Sequence, residues 1–113
     1  MAGRIGPALA MAEQDLPDAL DTAQALPHQA LRLATDLARL RAKLGRSADA
    51  DMAYRQAERI AREHSSLPQW QEVLQEMLGF YDQQGMKAES ARITALAGCA
   101  RRHKGPMVPA ACR

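Results

Sequence analysis

The stretch that decides the fold is residues 37–57, LARLRAKLGRSADADMAYRQA. Apolar and small residues recur in it at spacings of three and four, the period of a helix with one buried face. Gly45 interrupts this pattern where a helix would end, and Ser47 follows as the cap of the next helix. The stretch therefore predicts two helices joined by a tight turn.

The pattern returns later in the chain with Gly85 in the place of Gly45, which makes it an internal repeat. The repeat positions are Leu37, Ala38, Gly45, Ala50, Tyr54 and Ala57 in the first copy, and Tyr81, Gly85 and Ala97 in the second. Small residues two turns apart on one face let antiparallel helices approach closely, and Tyr54 fills the gap between one pair and the next. Because each pair leaves one face uncovered, such pairs stack into a superhelix with a concave surface.

Prolines and caps outside this stretch predict further helices. We expect helices over 16–26, over 27–45 and, after a capping box at 66–69, over an apolar stripe at 70–81. A last helix runs through 88–99. The sequence thus predicts five or six helices with short connections, and short connections force neighbouring helices to pack antiparallel.

The composition supports an all-α fold. Among 113 residues there are 23 Ala and 13 Leu, against 3 Ile, 2 Val, 3 Thr and 4 aromatic residues. A chain so poor in β-branched and aromatic residues does not build an extensive sheet. We expect one helical domain over 1–100 and, because 101–113 has two prolines and no apolar period, a basic disordered tail. No apolar run is long enough to span a membrane.

The middle copy resembles a known family. Residues 43–46 (KLGR), with Ala50, Tyr54 and Ala57, are similar to the second half of a tetratricopeptide repeat (TPR). The resemblance covers residues 5–100, is strongest over 34–62, and amounts to about two and a half to three repeats. The period exceeds the family's usual length of about 34 residues. It is similar to the extended-helix variety of kinesin light chains and some bacterial regulators.

The resemblance implies an all-α solenoid that binds a protein partner. Members of the family hold an extended or helical peptide in a concave groove lined by the first helix of each pair. The expected groove residues are Arg32, Thr35, Asp36, Arg39, Lys43, Glu72, Gln75, Glu76, Asp82 and Gln83. One half is basic and the other acidic, which would orient a peptide of opposite charge order. The sequence contains no Asn, which disfavours the variety that clamps a carboxylate with Lys and Asn.

Other uses of the same residues stay open. The charged groove residues could simply be a solvated face, with Arg39 and Lys43 paired to Asp36 as neighbours on the helix. The scaffold could be an adaptor, a small dedicated chaperone of a secretion-type partner, or a homodimer joined through apolar residues of its first and last segments. Nucleic-acid binding is less well supported, because the net charge is only +2 and the basic residues form no single stripe.

Neither catalysis nor a cofactor is predicted. His28, His64 and His103 lie far apart without metal-ligand spacing, neither cysteine belongs to a CxxC motif, and no Gly-rich phosphate loop is present. Because Cys99 falls in a helical run and Cys112 in the tail, we expect two free thiols in a reducing compartment. The short, interrupted N-terminal apolar run argues against a signal peptide. The expected location is therefore cytoplasmic.

Overall fold

The computed structural model describes residues 26–112, and within that range the protein is all-α. The described residues form four helices: α1 (Pro27–Lys43), α2 (Ser47–His64), α3 (Leu67–Gln84) and α4 (Lys87–Arg101). A short 3-10 turn, η1, follows at Ala110–Cys112. The helices and η1 account for 82% of the described residues, which contain no strand. The helix predicted over 16–26 lies outside the described residues.

The chain divides into two compact units, residues 1–60 and 61–113. The first holds α1 and most of α2, and the second holds α3, α4 and η1. Within the second unit α3 and α4 pack against each other, as their short connection predicts. The described bounds of all four helices agree with the sequence pattern to within a few residues.

Both helix pairs turn through the same hydrogen-bonded motif. Gly45 and Gly85 have φ values of +75° and +68°, a left-handed conformation that costs glycine little. The N–H of Arg46 donates to the Arg41 carbonyl at 2.9 Å, and the N–H of Met86 donates to the Tyr81 carbonyl at 3.0 Å. A second bond joins each glycine N–H to the carbonyl three residues before it, at 3.1 and 3.2 Å. These paired bonds are the Schellman motif, which satisfies the last free carbonyls of a helix.

The helix starts repeat with the same offset that separates Gly45 from Gly85. Pro27, the first residue of α1, corresponds in this way to Leu67, the first residue of α3. Ser47 at the start of α2 corresponds likewise to Lys87 at the start of α4. The sequence repeat is therefore present in the backbone as two helix–turn–helix pairs of equal register. The equivalence concerns only where the helices begin and end within each pair.

Among the described residues of the first unit, the buried apolar side chains are mainly alanines. They are Ala30, Ala34, Leu37 and Ala38 on α1, and Ala50, Ala53, Tyr54, Ala57 and Ile60 on α2. Ala50 and Ala57 are fully buried, as their places in the repeat predict. Small side chains allow the helix backbones to approach closely, but each of them buries less apolar area than a larger side chain would.

The second unit has the larger side chains. On α3 the predicted stripe buries Trp70, Leu74, Met77 and Tyr81 completely, and Phe80 packs beside Tyr81 with ring centroids 5.5 Å apart. The buried residues of α4 are Ile93, Ala97 and Ala100. Ile93 is completely buried, so it is not part of an exposed apolar face on the last helix.

The described part of the expected tail is folded rather than disordered. After α4 the chain returns to the start of α3, where the Leu67 N–H donates to the Pro106 carbonyl at 2.8 Å. Ser66 and Met107 form an isolated antiparallel bridge, and Val108 is only 3% exposed. We call residues 103–112 the C-terminal segment. Its prolines and glycine correctly exclude a long helix, but a segment without one can still pack.

The expectation of two free thiols was wrong. Cys99 and Cys112 form a disulfide with their Cα atoms 5.8 Å apart, and no free cysteine is left. The error followed from the assignment of Cys112 to a disordered tail. Because the C-terminal segment turns back along α4, η1 brings Cys112 beside the last turn of the helix.

Reduction should destabilise the protein. Closing a loop of about 15 residues is worth about 3 kcal/mol in the chain-entropy model, so a phosphine reductant should lower the free energy of unfolding by about 2–3 kcal/mol. Urea unfolding followed by circular dichroism measures it. The stability of the double variant Cys99→Ser/Cys112→Ser should not change with the reductant. A change in that variant would show that the reductant acts on something other than this disulfide.

The start of α3 should depend on its capping box. The Gln69 N–H donates to Ser66 Oγ at 3.3 Å, and the Ser66 N–H donates to Gln69 Oε1 at 3.5 Å. Ser66→Ala removes the first bond and should cost about 1 kcal/mol in urea unfolding. The control Gln83→Ala, on the exposed face of α3, should change stability by less than about 0.5 kcal/mol.

Close packing in the first unit can be tested with a larger side chain. Ala57→Leu enlarges the side chain at a site with no exposed surface and should destabilise the protein by about 1–3 kcal/mol. The control is Arg59→Leu, at an exposed position of the same helix, which should be nearly neutral. Asp49→Leu and Ser47→Leu are unsuitable as controls because they would disturb the start of α2. Equal effects of Ala57→Leu and Arg59→Leu in thermal unfolding would contradict close packing at Ala57.

Candidate partner-binding surfaces

The first predicted half of the groove is an exposed face of α1. Arg32, Asp36, Arg39 and Lys43 are all exposed and follow one another at intervals of four, three and four residues, so they lie on one side of the helix. The net charge of this face is +2. Thr35 is half-buried, and its hydroxyl donates to the Leu31 carbonyl at 2.8 Å.

A weak ion pair lies within this face. Arg39 Nη1 is 3.4 Å from Asp36 Oδ1, and both side chains are more than half exposed. Exposed pairs of this kind contribute about 0–1 kcal/mol, so a partner could replace this one at little cost. The pair is equally compatible with the simpler interpretation, a solvated face.

The second predicted half is an acidic face of α3. Glu72, Gln75, Asp82 and Gln83 are exposed, and Glu76 is half-buried. The three carboxylates of this face give it a net charge of −3. Each predicted half is therefore largely an exposed face within its own unit, with the expected sign of charge.

A groove lies at the turn between α3 and α4. It encloses about 610 Å³ and is lined by Tyr81, Asp82, Gly85, Met86, Lys87, Ser90, Ala91, Thr94 and Ala95. The ring of Tyr81 is completely buried, while Ala91 and Ala95 are exposed. The groove is therefore lined mainly by apolar surface, and its exposed small side chains leave it open.

The polar groups of the groove are held in place. The Ser90 hydroxyl donates to the Asp82 carboxylate, and the Thr94 hydroxyl donates to the Ser90 carbonyl at 2.8 Å. Asp82 keeps acceptor capacity because a carboxylate has about four lone-pair sites. Exposed Lys87 supplies a positive charge at the first residue of α4.

Sequence reasoning found only part of this groove. Of the predicted groove residues only Asp82 lines it, because the prediction placed binding residues on the first helix of each pair. A smaller recess of about 240 Å³ is likewise lined by both helices, by Gln75 of α3 and by Ala97 and Arg101 of α4. The available signal was the exposed pair Ala91 and Ala95, which falls on the side of α4 away from Ile93.

Three potential metal ligands meet at the end of α4. Ligand atoms of Cys99, His103 and Cys112 lie within 4.8 Å of one another. His103 Nδ1 is 2.9 Å from the Cys99 carbonyl oxygen and 3.8 Å from Cys112 Sγ. The sequence prediction of no metal site overlooked this cluster because it treated His103 and Cys112 as tail residues. The usable signal was the four-residue spacing of Cys99 and His103 at a helix end.

Similarity to known proteins adds nothing to this picture. No protein-family model, curated protein or solved structure matches the chain. Within residues 26–112, none of the helices is long and apolar enough to cross a bilayer.

Proposed function

We propose that the protein is a non-enzymatic interaction module that binds a partner peptide or short helix. The observation that carries the proposal is the open groove between α3 and α4, with exposed alanines along its wall. A volume of about 610 Å³ is within the range of sites that accept a large side chain or a short segment.

The charges around the groove suggest which peptides it prefers. Asp82 and Lys87 stand within the lining, and the acidic face of α3 continues away from Asp82 through Glu76 and Glu72. A suitable ligand carries an apolar anchor flanked by basic residues on the side of α3. Charges at such a rim mainly affect the association rate and the register of the peptide, while the anchor supplies affinity.

The tetratricopeptide-like stacking of the helix pairs is part of the same proposal. It is supported by the two Schellman turns and by the equal offset between the starts of corresponding helices.

The cellular compartment depends on the cysteines. The expected cytoplasmic location was based on free thiols, and disulfides persist mainly in oxidising compartments. We therefore propose a cytoplasmic location only for a form in which Cys99 and Cys112 are reduced. Alkylation of thiols in intact cells, followed by mass spectrometry, distinguishes the two forms.

The groove can be tested by peptide selection. A random peptide library displayed on phage, selected on the immobilised full chain, should enrich peptides that share an apolar residue flanked by Lys or Arg. Fluorescence anisotropy with a labelled selected peptide then gives Kd. Ala91→Arg fills the groove wall with a long charged side chain and should raise Kd at least tenfold, since a desolvated anchor carries most of the affinity.

A matched control lies on the same helix. Ala88 is exposed but does not line the groove, so Ala88→Arg should change Kd by less than threefold. Failure to enrich any peptide, or equal Kd values for the wild type and Ala91→Arg, would contradict binding in the groove. Binding that disappears when salt rises and does not depend on the anchor would indicate nonspecific charge attraction instead.

A further inference from the structure

We propose that the reduced protein binds Zn²⁺ through Cys99, His103 and Cys112. This site is independent of the proposed peptide groove. The three residues lie at the end of α4 and in the C-terminal segment, and none of them lines that groove. Two thiolates and one imidazole are ligands that zinc prefers in proteins.

The geometry fits a tetrahedral zinc ion. With Zn–S distances of about 2.3 Å and a Zn–N distance of about 2.0 Å, tetrahedral angles place the two sulfurs about 3.8 Å apart and each sulfur about 3.5 Å from the nitrogen. In the structure His103 Nδ1 is already 3.8 Å from Cys112 Sγ. The ligand atoms of all three residues lie within 4.8 Å of one another. The two sulfurs, now joined in a disulfide, have to separate, and cysteine Cα atoms 5.8 Å apart leave their side chains free to do so.

Local structure holds the ligands before the metal arrives. Cys99 and His103 are one turn apart, and His103 Nδ1 lies 2.9 Å from the Cys99 carbonyl oxygen, to which it donates a hydrogen bond when it carries the ring proton. Zinc binding at Nδ1 would replace this bond and leave the remaining ring proton on Nε2. Cys112 is 3% exposed within η1, so the metal would be shielded on that side.

Basic residues flank the cluster along the chain. Arg101, Arg102 and Lys104 are exposed and flank His103 along the chain. Cationic neighbours lower the cost of ionising a cysteine, and zinc binds the thiolate form. Two thiolates balance the charge of one Zn²⁺. Among the described residues no fourth His, Cys, Asp or Glu belongs to this cluster, so water would complete the coordination.

The disulfide and the zinc site exclude each other, because both use the same two sulfurs. A dithiol reductant gives two electrons and two protons to the disulfide: the S–S bond breaks, two thiols form, and the reductant becomes a disulfide. Zn²⁺ then displaces the two thiol protons into the buffer. In the reverse direction hydrogen peroxide takes two electrons from the thiolates. The S–S bond forms, the O–O bond breaks, two solvent protons complete two water molecules, and Zn²⁺ leaves.

Either state cross-links the C-terminal segment to α4. The metal-free reduced form has no such cross-link, so it should be the least stable of the three. Zinc would therefore stabilise the reduced chain, because it binds the folded state more tightly than the unfolded state.

The test uses the full chain, reduced with a phosphine and freed of metal by chelation. Native mass spectrometry should show one zinc ion per chain, and competition with a chromophoric zinc chelator should give the affinity. His103→Ala should weaken binding at least tenfold, and Cys112→Ser should do the same. The controls His28→Ala and His64→Ala replace histidines outside the cluster and should leave the affinity unchanged.

Two further readouts separate this site from adventitious binding. The oxidised protein should take up no zinc, and hydrogen peroxide should release zinc from the loaded protein while the two thiols disappear. Zinc should also raise the urea midpoint of the reduced wild type but not that of His103→Ala. Absence of zinc binding by the reduced wild type, or equal affinity in His103→Ala, would overturn the proposal.

Discussion

Two left-handed glycine turns set the register of the described structure. At Gly45 and Gly85 the chain reverses within a few residues, and the same pair of backbone hydrogen bonds closes each turn. An L-residue with a side chain would be strained at these φ values, whereas glycine is not. Because each turn fixes where one helix ends and the next begins, it also fixes which residues face each other. The buried Ala50 and Ala57 follow from that register.

Local signals of this kind explain why so much of the fold could be predicted from the sequence. The capping box at Ser66, the glycine turns and the apolar stripe from Trp70 to Tyr81 act within a few residues of one another. Each therefore leaves a pattern that can be recognised without knowledge of the fold. The disulfide could not be predicted in this way. It depends on the path of the C-terminal segment, which is fixed by contacts with Ser66 and Leu67. Two whole helices separate these residues from the segment in the sequence.

The candidate groove likewise depends partly on patterns within one helix and partly on how two helices pack. The family resemblance predicts that Glu72, Gln75 and Asp82 lie on the groove side of α3, and all three are exposed in the structure. A concavity, however, requires two elements, and its volume depends on which residues of the second helix stand opposite. Ala91 and Ala95 contribute through the absence of bulk rather than through any chemical group. Their role becomes visible only when α4 is placed against α3.

The second unit thus has different chemistry at its two ends. The groove lies where α3 ends and α4 begins, whereas the cysteine pair and His103 lie where α4 ends, beside the segment that pairs with the start of α3. The Pro106 carbonyl accepts the first N–H of α3, one of the four donors that a helix start leaves unsatisfied. The cross-link therefore holds the end of α4, and the segment that it closes satisfies the start of α3, several turns from Tyr81. The buried residues from Trp70 to Tyr81 form one packed face of α3 that connects these two ends of the unit.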